Sequence, residues 1–179
     1  MAHHTPLLSA EAIAARIAEL GPQIRRDVGD GTITLIGVLR GSVLFMADLC
    51  RAIPGDVRLE FLGVSSYQGT ESTGTVRITH DLSTDIQGKN VVIVEDIVDT
   101  GLTLDYLLRA LGQRHPAQLK TAALLDKPSR RQVEVPVDWV GFPIPDHFVI
   151  GYGLDLDQQF RNLDHIAIYH PDAEPSDSD

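Results

Sequence analysis

Apolar residues return along this chain in two rhythms, one helical and one of strands. From Ser9 to Ile24, Ile13, Ile17, Leu20 and Ile24 recur at helical spacing, and Ser9 is placed to cap the helix start. Thr32–Leu39 is β-branched and apolar on both faces, which predicts a strand buried inside a sheet. Arg40-Gly41-Ser42 interrupts it, and Val43–Ile53 predicts the following helix. Val57, Leu59 and Phe61 alternate, which predicts a strand with one apolar face. Gln68–Gly74 is polar and glycine-flanked with nothing to bury, and a mobile loop is expected there before Val76-Arg77-Ile78 resumes a strand.

The pattern sharpens after Gly88. Asn90–Val94 is a short strand ending at Glu95-Asp96, and Leu104, Leu107, Leu108 and Leu111 mark a helix. Thr121–Asp126, Asp138–Phe142, Phe148–Tyr152 and His165–Tyr169 are four more strand candidates. Strands alternating with helices predict an α/β fold with a mostly parallel central sheet. No repeat of fixed period and no internal boundary is evident. Residues 1–170 therefore read as one domain, followed by a tail at 171–179 that is acidic and expected to be disordered.

Composition narrows the classes of function. The chain has 179 residues, the size of one domain, with 43% hydrophobic and 22% charged, an ordinary globular mix. Its longest apolar run, Val43–Ala47, is far short of the roughly 18 residues of a membrane helix. Met1–Arg16 lacks the pattern of a secretory leader, and the single Cys50 excludes an internal disulfide, so the cytoplasm is the expected location. Cys50 reads as packing within a helix. The net charge of -10 argues against a nucleic-acid partner. His80, His115, His147, His165 and His170 show no metal-ligand spacing, and His3-His4 carries no weight.

Val91–Thr103 holds the most chemistry. Ligands of open parallel sheets bind outside the carboxyl ends of the strands. There this strand presents Glu95 and Asp96, with Asp99 just beyond. Thr100-Gly101-Leu102-Thr103 then opens a helix, and small residues at a helix start let backbone N–H groups and hydroxyls close around a phosphate. The carboxylates could hold a hydrated Mg²⁺ or the hydroxyls of a sugar. Taken alone, Asp99–Thr103 reads as a plain capped turn sooner than as a functional one. The carboxyl pair after four apolar residues is harder to explain without water, a cation or a ligand. Neither GxGxxG nor GxxxxGK[ST] occurs.

This segment resembles the phosphoribosyl-pyrophosphate (PRPP) motif of the type I phosphoribosyltransferase family. Further blocks resemble the 6-oxopurine branch of that family in its bacterial form. They are Leu39–Ser42, Ser65–Tyr67, Leu125–Arg131, Pro145–Tyr152, Leu154-Asp155 and Phe160-Arg161, in family order. The resemblance implies transfer of phosphoribosyl from PRPP to N9 of hypoxanthine or guanine, with Mg²⁺ as cofactor. It implies that Thr100, Gly101, Leu102 and Thr103 hold the 5′-phosphate, Leu102 through its backbone alone. Glu95 and Asp96 take the ribose hydroxyls, directly or through Mg²⁺, and Asp155 is a further Mg²⁺ ligand. Asp99 accepts the proton at N7. Lys127 donates to O6, where residue chemistry alone reads a solvated lysine. Phe148, otherwise assigned to the core, stacks on the purine, and the Val149 backbone reads its edge. Arg40, Gly41 and Arg161 bind pyrophosphate, with a cis peptide at Leu39–Arg40. Ser65, Ser66 and Tyr67 begin a flexible loop closing over the site. A hood from the N-terminal segment and the region after about 145 covers the base, and assembly is as homodimers or homotetramers. Two other readings compete: a PRPP sensor that regulates RNA or DNA, and an enzyme for another base.

Overall fold

The computed structural model describes residues 3–67 and 75–171. The loop expected over Gln68–Gly74 and residues 172–179 of the tail lie outside them. In chain order the elements are β1 (His3–Leu8), α1 (Ala10–Val28), β2 (Ile33–Leu39), α2 (Val43–Ala52), β3 (Val57–Tyr67) and β4 (Thr75–His80). They continue with β5 (Asn90–Val98), α3 (Leu102–Gly112), β6 (Gln118–Asp126), β7 (Trp139–Pro143), β8 (Val149–Ile150) and β9 (Ile166–His170). A 3₁₀ turn, Pro128–Arg130, follows β6.

Six strands form the central sheet in the order β4-β3-β2-β5-β6-β7. All neighbours are parallel except β4, which runs antiparallel along β3. Apolar residues on both faces of the inner strands require cover on both sides. On one side α1 and α2 pack Ile17, Leu20, Ile24, Phe45 and Leu49 against Leu35, Val92, Val94 and Leu124. On the other, Leu104, Leu107 and Leu111 of α3 meet Ile36, Val91, Ile93 and Ala123. Ser9 Oγ accepts from the Ala12 N–H at 3.2 Å, the cap that the sequence places there. Arg16 of α1 donates to the carbonyls of Gly141 and Val140 at 3.0 and 2.9 Å, and Trp139 Nε1 donates to Asp27 at 2.9 Å, which ties α1 to β7.

A second sheet, β1-β9-β8, is antiparallel and joins the N-terminal segment to chain beyond Pro145. Cys50 is half-buried in α2. No helix among the described residues is long and apolar enough to cross a membrane.

Two strand readings differ from expectation. β5 does not end at Glu95 but runs on to Val98, because Glu95, Ile97 and Val98 continue to pair with Ala123, Leu125 and Asp126 of β6. In β3 the alternating Val57, Leu59 and Phe61 are not the more buried set: Leu59 is 47% exposed, whereas Glu60 and Leu62 on the opposite face are buried. A glutamate occupies that inner position because Ser83 donates to it from N–H and Oγ at 3.0 Å, and Thr84 Oγ1 donates at 2.6 Å.

Burial alone would raise the Glu60 carboxyl, but these bonds outweigh it and hold its pKa below the ordinary value. A depressed carboxyl stabilises the fold fully above the ordinary carboxylate range and loses that contribution as pH falls through its own lowered value. Glu60→Gln is therefore expected to cost about 1–2 kcal/mol at neutral pH. The difference from the parent chain should close below about pH 4. Urea denaturation across pH checks it; a cost that is the same at pH 7 and pH 3 contradicts the assignment.

Candidate active site

Three groups of side chains assemble at the carboxyl ends of β2, β5 and β6. The first surrounds the turn from β5 into α3. Side chains alternate along a strand, so Glu95 shares the α3 side with Val91 and Ile93, while Asp96 turns to the α2 side. Glu95, Asp99, Thr100, Gly101 and Thr103 line a small cavity of about 90 Å³. Gly101 makes the turn at φ +86, a left-handed conformation, and an added Cβ there would lie 2.6 Å from the Val133 carbonyl. The Leu102 N–H donates to Thr100 Oγ1 at 3.4 Å. The turn is held from outside: Thr100 O accepts from the N–H groups of Gln132 and Val133 at 2.9 and 3.2 Å, and Arg131 donates to Asp99 O at 2.7 Å. Arg131 also pairs with Asp126. The start of α3, whose first N–H groups have no carbonyl partner within the helix, thus borders a polar recess suited to an anion.

The second group lies across the sheet, around Asp96. A methyl on Gly41 would collide with the Asp96 carboxylate, and one on Gly153 with the Gly41 carbonyl, so these backbones and that side chain close on one another. The peptide Leu39–Arg40 is cis. Arg161 donates to Gly153 O at 2.6 Å and to Gln158 Oε1 at 3.1 Å, and pairs with Asp155 Oδ1 at 2.8 Å. Arg40 donates to the same Gln158 oxygen at 3.2 Å. Arg40, Gly41, Asp96, Asp155 and Arg161 therefore belong to one cluster. Gln158 and Gly153 join it without having been singled out in the sequence; a loop glutamine carries no signal of its own.

Burial chiefly, with the Asp96 charge next, pushes the Glu95 carboxyl well above its ordinary pKa. Burial likewise lifts Asp96 to about 6, although N–H donors from Ile97 and its own backbone, and the Arg161 charge, pull the other way. A cation beside either carboxylate would offset its desolvation.

The third group follows β6. The Lys127 N–H donates to Val98 O at 3.0 Å, which draws the strand ends together. Lys127 is buried at 7% exposure, not solvated, and its ammonium lies 3.8 Å from Asp146 Oδ1. Phe148 departs from the core reading: it is 52% exposed, and its ring meets Tyr169 edge-on at 6.0 Å between ring centres. Val149 is buried in β8, paired with Ile168 of β9. A buried ammonium facing Asp146, with an exposed ring two residues further along the chain, is an arrangement for a flat polar ligand. Ser65, Ser66 and Tyr67 are not loop but the last pairs of β3 with β4, opposite Arg77, Val76 and Thr75.

Comparison with known proteins agrees with this geometry. The family model of the phosphoribosyl transferase domain matches residues 3–158, and the chain belongs to that family. The chain is 53% identical to the hypoxanthine phosphoribosyltransferase of Haemophilus influenzae, across 92% of this chain and 95% of that one. It is 51% identical to the hypoxanthine-guanine phosphoribosyltransferase of Mycobacterium avium, over 92% and 85% of the two chains. The crystal structure of a Bacillus anthracis hypoxanthine-guanine phosphoribosyltransferase superposes with a TM-score of 0.88 at 45% identity, covering 92% of this chain and 97% of that one.

The left-handed turn at Gly101 is directly testable. Gly101→Ala places a side chain in a strained conformation against the Val133 carbonyl, at an expected cost of about 1–3 kcal/mol in unfolding free energy. Denaturation with an unshifted midpoint contradicts the turn described here.

Proposed function

We propose that this protein is an enzyme of purine salvage that transfers phosphoribosyl from PRPP to N9 of a 6-oxopurine, hypoxanthine or guanine, giving IMP or GMP and pyrophosphate. The observation that carries the reading is the meeting of three binding features at one sheet edge. They are the anion recess at the start of α3, the Asp96–Gly41–Gly153 cluster, and buried Lys127 facing Asp146, two residues before the exposed Phe148.

In this reading Thr100, Gly101, Leu102 and Thr103 hold the 5′-phosphate through backbone N–H groups and hydroxyls. Glu95 and Asp96 take the ribose hydroxyls, and Arg40, Gly41 and Arg161 bind the pyrophosphate. Lys127 donates to O6, so adenine, which carries a donor there, is rejected. Phe148 stacks on the purine, and the Val149 backbone reads its edge. The loop that follows Ser65, Ser66 and Tyr67 excludes water during the reaction. The strands β1, β9 and β8 act as the hood over the base.

The bond from C1 of the ribose to the pyrophosphate oxygen breaks as the N9 lone pair bonds to C1. The proton at N7 passes to Asp99 as charge develops on the ring. The sugar passes through an oxocarbenium-like state, which the nearby carboxylates stabilise.

The residues fit Mg²⁺. Among the described residues no group of three or more His, Cys, Asp or Glu converges. Asp96 and Asp155, whose charges already act on each other, and Glu95 on the far side of the strand would each offer one carboxylate. An ion held by one or two of them would keep waters and substrate phosphates as its other ligands. When bound, the ion neutralises charge on the pyrophosphate leaving group. The enzyme works in the cytoplasm as a homodimer or homotetramer.

Asp99→Asn is expected to lower turnover by about 10²-fold or more while PRPP still binds, as calorimetry can show. Unchanged turnover, or lost PRPP binding in a folded variant, contradicts the role. Lys127→Ala should reduce kcat/KM for hypoxanthine far more than it changes PRPP affinity; equal effects on both reject the contact with O6. Removal of Mg²⁺ by EDTA should stop turnover, and added Mg²⁺ should restore it; turnover that persists in EDTA excludes the metal role.

A further inference from the structure

Arg130 has none of the roles above, yet it stands between two residues that do. It closes the 3₁₀ turn after β6, where its N–H donates to Lys127 O at 3.1 Å. From there the guanidinium reaches both ways. Nε lies 2.9 Å from Asp99 Oδ1, and a terminal nitrogen lies 3.4 Å from Asp146 Oδ2. Asp146 Oδ1 lies in turn 3.8 Å from the Lys127 ammonium. Charges thus alternate in sign along Lys127, Asp146, Arg130 and Asp99.

The Asp99 end of this chain is one-sided. Asp99 Oδ1 is buried, and Arg130 Nε at 2.9 Å is the charged partner that compensates its burial. The side chain is nonetheless 37% exposed, which leaves Oδ2 as the oxygen a ligand can meet. Both carboxylates, Asp99 before Asp146, favour the charged guanidinium further. A planar guanidinium suits this task because its edges reach two carboxylates at once, which an ammonium on a flexible stem does not.

The ligand chemistry explains why such a link would matter. O6 and N7 of a 6-oxopurine are neighbours on one edge of the ring. Groups that serve them must be held at a fixed spacing, since a misplacement near 1 Å can cost about 10²-fold in rate.

We infer that Arg130, acting through Asp146, is a positioning residue that fixes Lys127 and Asp99 relative to each other so that both address the O6–N7 edge of the base. The inference rests on the roles proposed for those two residues. Arg130 itself touches neither substrate.

Steady-state kinetics on the intact protein tests it, with circular dichroism confirming that each variant is folded. Arg130→Gln is expected to lower kcat/KM for hypoxanthine by roughly 10- to 100-fold, with KM for PRPP within about twofold of the parent. Asp146→Asn should act in the same direction and less. The double variant should be no worse than Arg130→Gln alone, because both changes break one linkage. Losses that multiply in the double variant, a KM for PRPP that rises with that for the base, or an unchanged kcat/KM each overturn the inference. If Arg130→Gln fails to fold, Asp146→Asn alone decides: unchanged kcat/KM for hypoxanthine overturns the inference, and a base-selective loss supports it. Asp99→Asn, run alongside, separates the two levels. A strong loss there with an unchanged Arg130→Gln removes only the positioning role, whereas no loss at Asp99 removes the reading beneath it.

Discussion

Two neighbouring carboxylates carried inside a sheet are the constraint around which this site is built. β5 keeps its pairing with β6 through Val98, so Glu95 and Asp96 cannot both turn to one side or swing out to solvent. One is sent toward α3 and the other toward α2, and burial raises both above their ordinary pKa values. The surroundings answer each in turn. Around Glu95 the chain leaves a recess at the start of α3; around Asp96 it removes side chains at Gly41 and Gly153 and brings in Arg161. A site that keeps carboxylates buried and their neighbourhood open is arranged for a cationic or hydroxyl-rich ligand, which sugar and metal both satisfy.

Much of the fold was legible in the periodicity, for physical reasons. Helices covering the sheet must place apolar residues at helical spacing, and Ile13, Ile17, Leu20 and Ile24 of α1 do so. Inner parallel strands must be apolar on both faces, as in β2 and β5. What misled was local. Leu59 looked inward because it alternates with Val57 and Phe61, but the inner face holds Glu60, made tolerable by Ser83 and Thr84 some twenty residues on. No rule of spacing within a strand can see such a distant partner.

The site was legible where a short segment carries its own chemistry, and less so where it depends on contacts. The turn from Asp99 to Thr103 could be read directly because one stretch supplies both its glycine and its hydroxyls. Lys127 and Phe148 could not. Residue chemistry alone assigns the lysine to solvent and the phenylalanine to the core, and the fold reverses both, burying the ammonium and exposing the ring. The family resemblance assigns both to the base instead, a reading that neither spacing nor residue type supplies. Arg130 was hidden for a similar reason, since its link between Asp99 and Asp146 exists only once the turn after β6 folds back toward the end of β5.

The central claim is that these three groups together form a 6-oxopurine phosphoribosyltransferase site. The most direct measurement is a spectrophotometric assay with PRPP and Mg²⁺ that offers hypoxanthine, guanine, xanthine, adenine and uracil in parallel. The account predicts turnover of hypoxanthine or guanine and none of adenine or uracil. If no base reacts while calorimetry still registers PRPP, the site is a sensor and not a catalyst, and the account is wrong.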